Sequence, residues 1–350
     1  MDRAPPGGQS GNPSRAPASD DAMLLEVKDL SISFQQGSKR VEAVKRVNLV
    51  LEAGKTLGIV GESGCGKSLT IQALMGLLPE TAQAKGRVTF QGVQLLGAPD
   101  HQLQSIRGRL MSMVFQEPMT ALNPLQPIGR QVAEPLRIHF GMRAKEAKSV
   151  AIGLLDRVGI PDAMRRADAY PHQFSGGQRQ RITLAIALAC SPALLLADEP
   201  TTALDATVAR QVLSLIRELV DERQMGMILV SHDLGVIAES VEQIVVMYGG
   251  LIVEQGSTRA VFSAMAHPYT RGLFASRPKW RFEYHGTHSV SKRRLESIPG
   301  AVPELDRMPP GCAFAPRCMH AAASCHWDEP PWVEISPGHS ARCTLLKSGS

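Results

Sequence analysis

The apolar positions of the chain change rhythm several times. From Leu24 they alternate with polar residues: Leu25 and Val27, then Ile32 and Phe34. That period of two is the mark of half-buried strands. Gln35-Gln36-Gly37-Ser38 predicts a turn, after which Val41, Val44, Val47, Leu49 and Leu51 resume the strand pattern. Arg87-Val88-Thr89-Phe90 with Gln91-Gly92 predicts another hairpin edge. Together these segments predict a small antiparallel sheet. Leu57, Ile59 and Val60, the stretch from Met111 to Gln116, Leu194 to Ala197, and Met227 to Val230 instead read as buried strands. Helical spacing appears from Ser68, with Ile71, Leu74, Met75 and Leu78 on one stripe. It returns with Ala147, Val150, Leu154 and Val158 on a shared face, closed by Gly159 and Pro161. The apolar run Ile182 to Ala197 is interrupted by Ser191-Pro192 and flanked by Arg181 and Asp198. It therefore splits into a helix and a strand and is not a membrane span. The expected fold class is α/β, with an antiparallel β subdomain and a helical region.

Chemistry attaches to the ends of the buried strands. Between the Leu57–Val60 strand and the Ser68 helix lies Gly61-Glu62-Ser63-Gly64-Cys65-Gly66-Lys67-Ser68. This is the phosphate-binding pattern G-x-x-x-x-G-K-S. Its glycines let backbone N–H groups curl around phosphate oxygens, and the helix start adds partial positive charge. Lys67 is expected to reach the β- and γ-phosphates and the Ser68 hydroxyl to ligate Mg²⁺. Phe174-Ser175-Gly176-Gly177-Gln178 opens a helix through Leu184, Ala187 and Leu188, a second place where N–H groups face outward. Asp198 and Glu199 stand at the carboxyl end of a buried strand, where ligands bind in open α/β sheets. Ser231-His232-Asp233 ends another.

Composition narrows the picture. In 350 residues, 43% are hydrophobic and 20% charged, which fits one large or two smaller globular domains. A net charge of +5 with dispersed basic residues and 5% aromatics argues against a nucleic-acid partner. Residues 1–22 are Pro, Gly, Ser and Ala with almost no large apolar side chain, and predict a disordered tail. No apolar signal segment opens the chain, so a cytoplasmic location is expected. Six cysteines in such a chain point to metal or redox chemistry before disulfides. Cys65 and Cys190 read as packing residues.

A phosphate loop, a glutamine after a strand, Ser-Gly-Gly-Gln, Asp-Glu, Leu-Asp and Ser-His-Asp in this order resemble the ABC-type ATPases from Leu24 to about Phe262. Gln116 to Pro124, Tyr170-Pro171-His172-Gln173, His267-Pro268-Tyr269-Thr270 and a cysteine-bearing tail resemble the ATP-binding subunits of bacterial dipeptide and oligopeptide importers. The resemblance implies a domain plan: an ATPase domain over 23–262, a helical subdomain at about 117–190, and a C-terminal extension over 263–350. It implies that Asp198 holds Mg²⁺ with Ser68 and Gln116, and that Glu199 polarises the attacking water. Lys67 and His232 would stabilise the transferred charge. Ser175, Gly176, Gly177 and Gln178 would contact ATP held by a second ATP-binding subunit, identical or paralogous, with Asp205 beside them. Phe34, where Tyr is commoner, would stack on adenine. Phe174 stands where Leu is usual. The remaining implied partners are two transmembrane permease subunits, with the loop from Gln116 to Pro124 (Met119 and Leu122 included) receiving a permease helix, and indirectly a substrate-binding protein. The implied location is the cytoplasmic face of the bacterial inner membrane. The implied cargo is di- or oligopeptide, with nickel or glutathione as the alternative.

The tail has its own signal. Cys312, Cys318, Cys325 and Cys343 fall within 32 residues, and the rest of the chain holds two cysteines. Pro309-Pro310-Gly311 and Pro316 predict turns that let thiolates converge. Four thiolates suit Zn²⁺ or an iron–sulfur cluster. The spacing lacks paired Cys-x2-Cys knuckles, and similar tails in the importer family are associated with a [4Fe–4S] cluster, which places the cluster ahead of zinc. Its expected role is structural.

Overall fold

The computed structural model describes residues 23–116, 121–202, 204–276 and 297–346. The expected tail 1–22, Met119 and Ala203 lie outside them.

The alternating N-terminal segments form the antiparallel sheet that their period predicts. Strands β1 (Met23–Gln36), β2 (Lys39–Glu52), β4 (Ala82–Phe90) and β5 (Val93–Gln94) lie in the order β2-β1-β4-β5. The unbroken apolar runs form a second sheet. It comprises β3 (Thr56–Val60), β6 (Met111–Val114), β7 (Leu194–Asp198), β8 (Gly226–Ser231), β9 (Gln243–Tyr248), β10 (Leu251–Ser257), β11 (Trp332–Ser336) and β12 (His339–Arg342). Their order is β11-β12-β10-β9-β3-β8-β7-β6. From β9 to β6 the pairing is parallel, and from β9 to β11 antiparallel.

Parallel strands covered on both faces need apolar residues on both. In β7, Leu194 and Leu196 face the core shared with the antiparallel sheet, whereas Leu195 and Ala197 face the helical side. In β8, Ile228 and Val230 take the first face, Met227 and Leu229 the second. The helical side is covered by the helices Ile128–Phe140, Ala144–Arg157 and Gly176–Leu188 and by the long helix Ala206–Arg223. The apolar run from Ile182 does split, with the helix ending at Leu188 and the strand starting at Leu194.

One expected helix face is corrected. The buried stripe of Ala144–Arg157 is Ala147, Ala151 and Leu155, whereas Val150 is 39% exposed. Of the expected face, Ala147 and Val158 are buried and Leu154 is half-buried against the same core, so Val150 is the residue that turns to solvent.

The C-terminal segment does not stand apart. Strand β12 pairs with β10, Glu254 opposite Ala341, and so lengthens the main sheet. Glu254 is fully buried there. It accepts from the backbone N–H groups of Ala266 and His267 and lies 2.8 Å from His339 Nε2. Phe314 completes an aromatic cluster, edge-on to Tyr248 with ring centroids 5.2 Å apart and 5.4 Å from Tyr269. With few apolar residues of its own, the segment borrows the core of the main sheet.

Candidate nucleotide site

Sheet register assembles the site. Val60 of β3 lies opposite Ser231 of β8, Asp198 of β7 opposite Val230, and Val114 of β6 opposite Ala197. The next residues of all four strands therefore emerge at one edge: Gly61, His232, Glu199 and, one further, Gln116. Residues far apart in sequence become neighbours because their strands end flush.

The phosphate loop leaves β3 at Gly61, and only glycine fits there. A Cβ would stand 2.3 Å from the Met247 carbonyl oxygen and 2.6 Å from Cys65 Sγ. At Gly66, φ is +99° and a Cβ would meet the Ala43 carbonyl oxygen at 2.9 Å. Cys65 is buried in the core, as a packing residue should be, and burial pushes its thiol up from the usual range. The helix Lys67–Met75 starts without a side-chain cap, so its first N–H groups are offered to an anion. The expected stripe stops at Met75, because Gly76 turns left-handed and Leu78 lies beyond the helix.

Glu199 is the hub. Its Oε2 lies 3.1 Å from His232 Nδ1, accepts from Thr202 Oγ1 at 3.1 Å and lies 3.5 Å from Gln116 Nε2. Its Oε1 is 3.8 Å from Lys67 Nζ. Its backbone sits at φ +43°, a conformation costly for a residue with a Cβ and characteristic of functional sites. Lys67 is buried and donates to the Gly61 and Glu62 carbonyls at 2.8 and 3.1 Å. Ser68 Oγ donates to Asp198 Oδ1 at 3.1 Å. Burial raises the Asp198 carboxyl above its usual range, against the opposing hydrogen bond from Ser68. A divalent cation here would reverse that direction. Lys67, Ser68, Gln116, Asp198, Glu199 and His232 are thus brought together.

The other predicted residues form a second group. Ser175 caps the helix Gly176–Leu188, accepting from Gln178 N–H while Gln178 Oε1 accepts from Ser175 N–H. The Ser-x-x-Gln spacing is a reciprocal capping box. Asp205 caps the helix Ala206–Arg223 through the Thr207 and Val208 N–H groups. The two helix starts touch: a Cβ on Gly177 would be 2.4 Å from Val208 Cγ1. Phe174 is buried beneath the Arg166 guanidinium, 4.2 Å from its ring centre, which suits an aromatic in place of leucine. Among the described residues, no hydrogen bond joins this second group to the phosphate loop.

Phe34 is half-buried in β1, paired with Val41 and Ala82. The same hairpin touches the phosphate loop further along, at Ala43 and Val44. Leu122 is buried in the helical core, so it does not offer itself to a partner, whereas Leu125 is 84% exposed. The asparagine–proline turn explains this. Asn123 is tied to the Gln131 amide on both its N–H and its C=O, which turns Leu122 inward.

Cys312, Cys318, Cys325 and Cys343 line one cavity of about 10 Å³ with His267 and Phe314. All are free thiols. Burial pushes the Cys312 thiol up to about 11 and raises Cys318 and Cys343. The convergence inferred from the prolines is there. A finished ligand set is not: among the described residues, no three His, Cys, Asp or Glu side chains are arranged to hold a metal ion.

Sequence reasoning missed the grip on Glu62. Its N–H donates to Tyr269 Oη at 2.8 Å, and its carboxylate takes a bidentate pair from Arg317, Nη1 at 2.5 Å and Nη2 at 3.1 Å. The only sequence hints were Tyr269 in the His267–Thr270 tetrapeptide and the position of Arg317 beside Cys318.

Comparison with known proteins identifies relatives of the chain. Residues 44–202 match the family model described as ABC transporter, and residues 253–325 match the oligopeptide/dipeptide transporter C-terminal region. A putative peptide import ATP-binding protein of Brucella melitensis is 47% identical over 330 residues, covering 91% of this chain and 96% of that protein. A second from the same organism is 46% identical over 323 residues, covering 92% and 95%. The dimeric post-hydrolysis structure of the ATP-binding cassette MJ0796, bound to ADP and phosphate, superposes with a TM-score of 0.61 at 29% identity. It covers 67% of this chain and 99% of that one. Among the described residues, no helix is long and apolar enough to cross a membrane. The chain belongs to the ABC transporter family, as an ATP-hydrolysing subunit of its oligopeptide/dipeptide branch.

Proposed function

We propose that this subunit energises import of di- or oligopeptides from the cytoplasmic face of the bacterial inner membrane. The observation that carries the reading is the convergence of Lys67, Gln116, Thr202 and His232 on Glu199, beside the Ser68–Asp198 pair. Lys67 takes the β- and γ-phosphate charge, and Glu199 orients a water in line and accepts its proton. His232, held by Glu199, neutralises charge on the departing phosphoryl group. Ser68, Asp198 and Gln116 would hold Mg²⁺, which supplies further charge neutralisation. Phe34 stacks on adenine.

Ser175–Gln178 and Asp205 form a group apart from the phosphate loop. That separation supports a composite site, in which they face nucleotide held by a second ATP-binding subunit, identical or paralogous. The solved cassette named above is itself a dimer. Two permease subunits dock on the loop beyond Gln116, and a substrate-binding protein delivers cargo to them. Among the described residues, Leu125 just beyond that loop is exposed and is available to a permease, and a cysteine there cross-links to it in an active complex.

The four tail cysteines close on a [4Fe–4S] cluster, with Zn²⁺ as the alternative, and pin the C-terminal segment. What supports this is the donor chemistry and the convergence of all four thiols on one cavity. As they stand, they enclose room for about one water-sized group and are not arranged around a common point that holds a metal, so a cluster requires the cavity to widen and zinc requires the thiols to turn. Iron, sulfide and zinc analysis of anaerobically purified protein decides the identity.

The function is tested in the membrane-assembled complex with its binding protein. Peptide is expected to raise ATP hydrolysis. A response to nickel or glutathione and none to peptide would reassign the cargo.

A further inference from the structure

We infer that Arg317 is a positioning residue of the phosphate loop, through which the cysteine-bearing C-terminal segment sets nucleotide affinity. The inference rests on reading Gly61–Ser68 as the phosphate-binding loop.

Glu62 is the second residue of that loop, and its carbonyl is one of the two on which Lys67 rests. Its orientation therefore bears on both the loop path and the lysine. Two groups hold it from outside the ATP-binding motifs. Tyr269 Oη accepts from its N–H, and Arg317 takes both carboxylate oxygens. Arg317 is itself fixed. Its Nε donates to the Pro299 carbonyl at 2.9 Å, and its Nη1 lies 3.4 Å from Tyr248 Oη. It is 7% exposed.

A guanidinium suits this place because its planar fork meets a carboxylate on two parallel bonds and still leaves Nε for a carbonyl; a lysine has one point of charge. The pair also spans the molecule. Arg317 and Glu62 are 255 residues apart. On one side Arg317 adjoins Cys318, which lines the thiol cavity. Nearby Phe314 packs on Tyr248 and Tyr269, the same two tyrosines that meet Arg317 and Glu62. A shift of the cysteine segment is thus passed to the second residue of the phosphate loop. Without Arg317 the loop samples other arrangements. If the competent one is then populated only about a tenth to a fifth of the time, apparent affinity falls about 5- to 10-fold.

The experiment compares Arg317→Ala, Arg317→Lys, Glu62→Ala and the Glu62→Ala/Arg317→Ala double variant in the full chain. Binding is read by fluorescence titration with a labelled ATP, turnover by phosphate release, and folding by the melting temperature. Arg317→Ala is expected to raise the ATP Kd and KM about 5- to 10-fold, with kcat within about twofold. Arg317→Lys recovers less than half of the loss, and the double variant is no worse than the poorer single one. Glu62→Ala, which leaves the C-terminal segment's own contacts intact, carries the test if Arg317→Ala fails to fold. A lowered melting temperature with unchanged Kd and KM would overturn the inference, as would additive losses or full recovery in the double variant. Lys67→Ala is the control for the underlying reading: if it leaves ATP affinity intact, Gly61–Ser68 is not the phosphate loop.

Discussion

The nucleotide site and the thiol cavity are both built from polar or reactive residues brought together by the fold, but by opposite means. Residues of the first are scattered from Gly61 to His232, yet their side chains already touch, with the Glu199 contacts at 3.1 to 3.8 Å. The four cysteines lie within 32 residues, yet they are not arranged to hold a metal. Flush ends of adjacent parallel strands fix the first, because a ladder of backbone hydrogen bonds sets each side chain's starting point. The second draws its cysteines from elements of different kinds: Cys318 follows the 3₁₀ turn Ala315–Arg317, Cys325 lies in the 3₁₀ turn Ala323–His326, and Cys343 follows β12, so no common ladder of hydrogen bonds sets the four thiols against one another. Proximity in sequence is a weaker organiser than a shared sheet edge.

Three measurements test this contrast. Lys67→Ala has the largest effect. It removes a charge-assisted contact worth roughly 1.5–3 kcal/mol, so the ATP Kd should rise about 10- to 150-fold in equilibrium titration, with little change in melting temperature. A fall in melting temperature of several degrees instead would mean that the strand-end site is not preformed. Metal removal comes next. A chelator under reducing conditions should lower the stability of the C-terminal segment, read as increased hydrogen exchange at β11 and β12. It should raise the ATP Kd by less than Lys67→Ala does. Equal protection with and without metal would show the cysteine segment to be self-supporting. The smallest effect tests the scaffold. Ala151→Leu overpacks the helical core and should cost about 1–3 kcal/mol. Val150→Ala, one residue away but exposed, should stay within about 0.5 kcal/mol. Denaturant melts of both variants check the pair.

The sequence displayed the nucleotide site well because its chemistry admits few residue types. A loop that must pass 2.3 Å from a carbonyl at the position of a Cβ can only be glycine, and its charge can only be lysine at the helix start. The strand runs were legible because burial on both faces forces unbroken apolar stretches. Where alternatives cost little, the reading slipped. On the helix Ala144–Arg157, Val150 is expected on the core face with Ala147 and Leu154, but the buried positions run through Ala147, Ala151 and Leu155, and this small rotation of the face leaves Val150 exposed. Leu122 looked available to a partner, but Gln131 holds the Asn123 turn so that it points inward. The Arg317–Glu62 pair left no pattern, since contacts between residues 255 apart have no period to read.

On the proposed reading, Glu199 is the group around which ATP hydrolysis is organised. Phosphate release by the Glu199→Gln variant of the assembled transporter, measured alongside ATP affinity, tests it most directly. Gln keeps the size and one acceptor for His232 and Thr202 but cannot take a proton. Turnover should fall about 10²- to 10⁴-fold, with the ATP Kd within about threefold of the unmodified chain. Turnover within about threefold of the unmodified chain would contradict the claim.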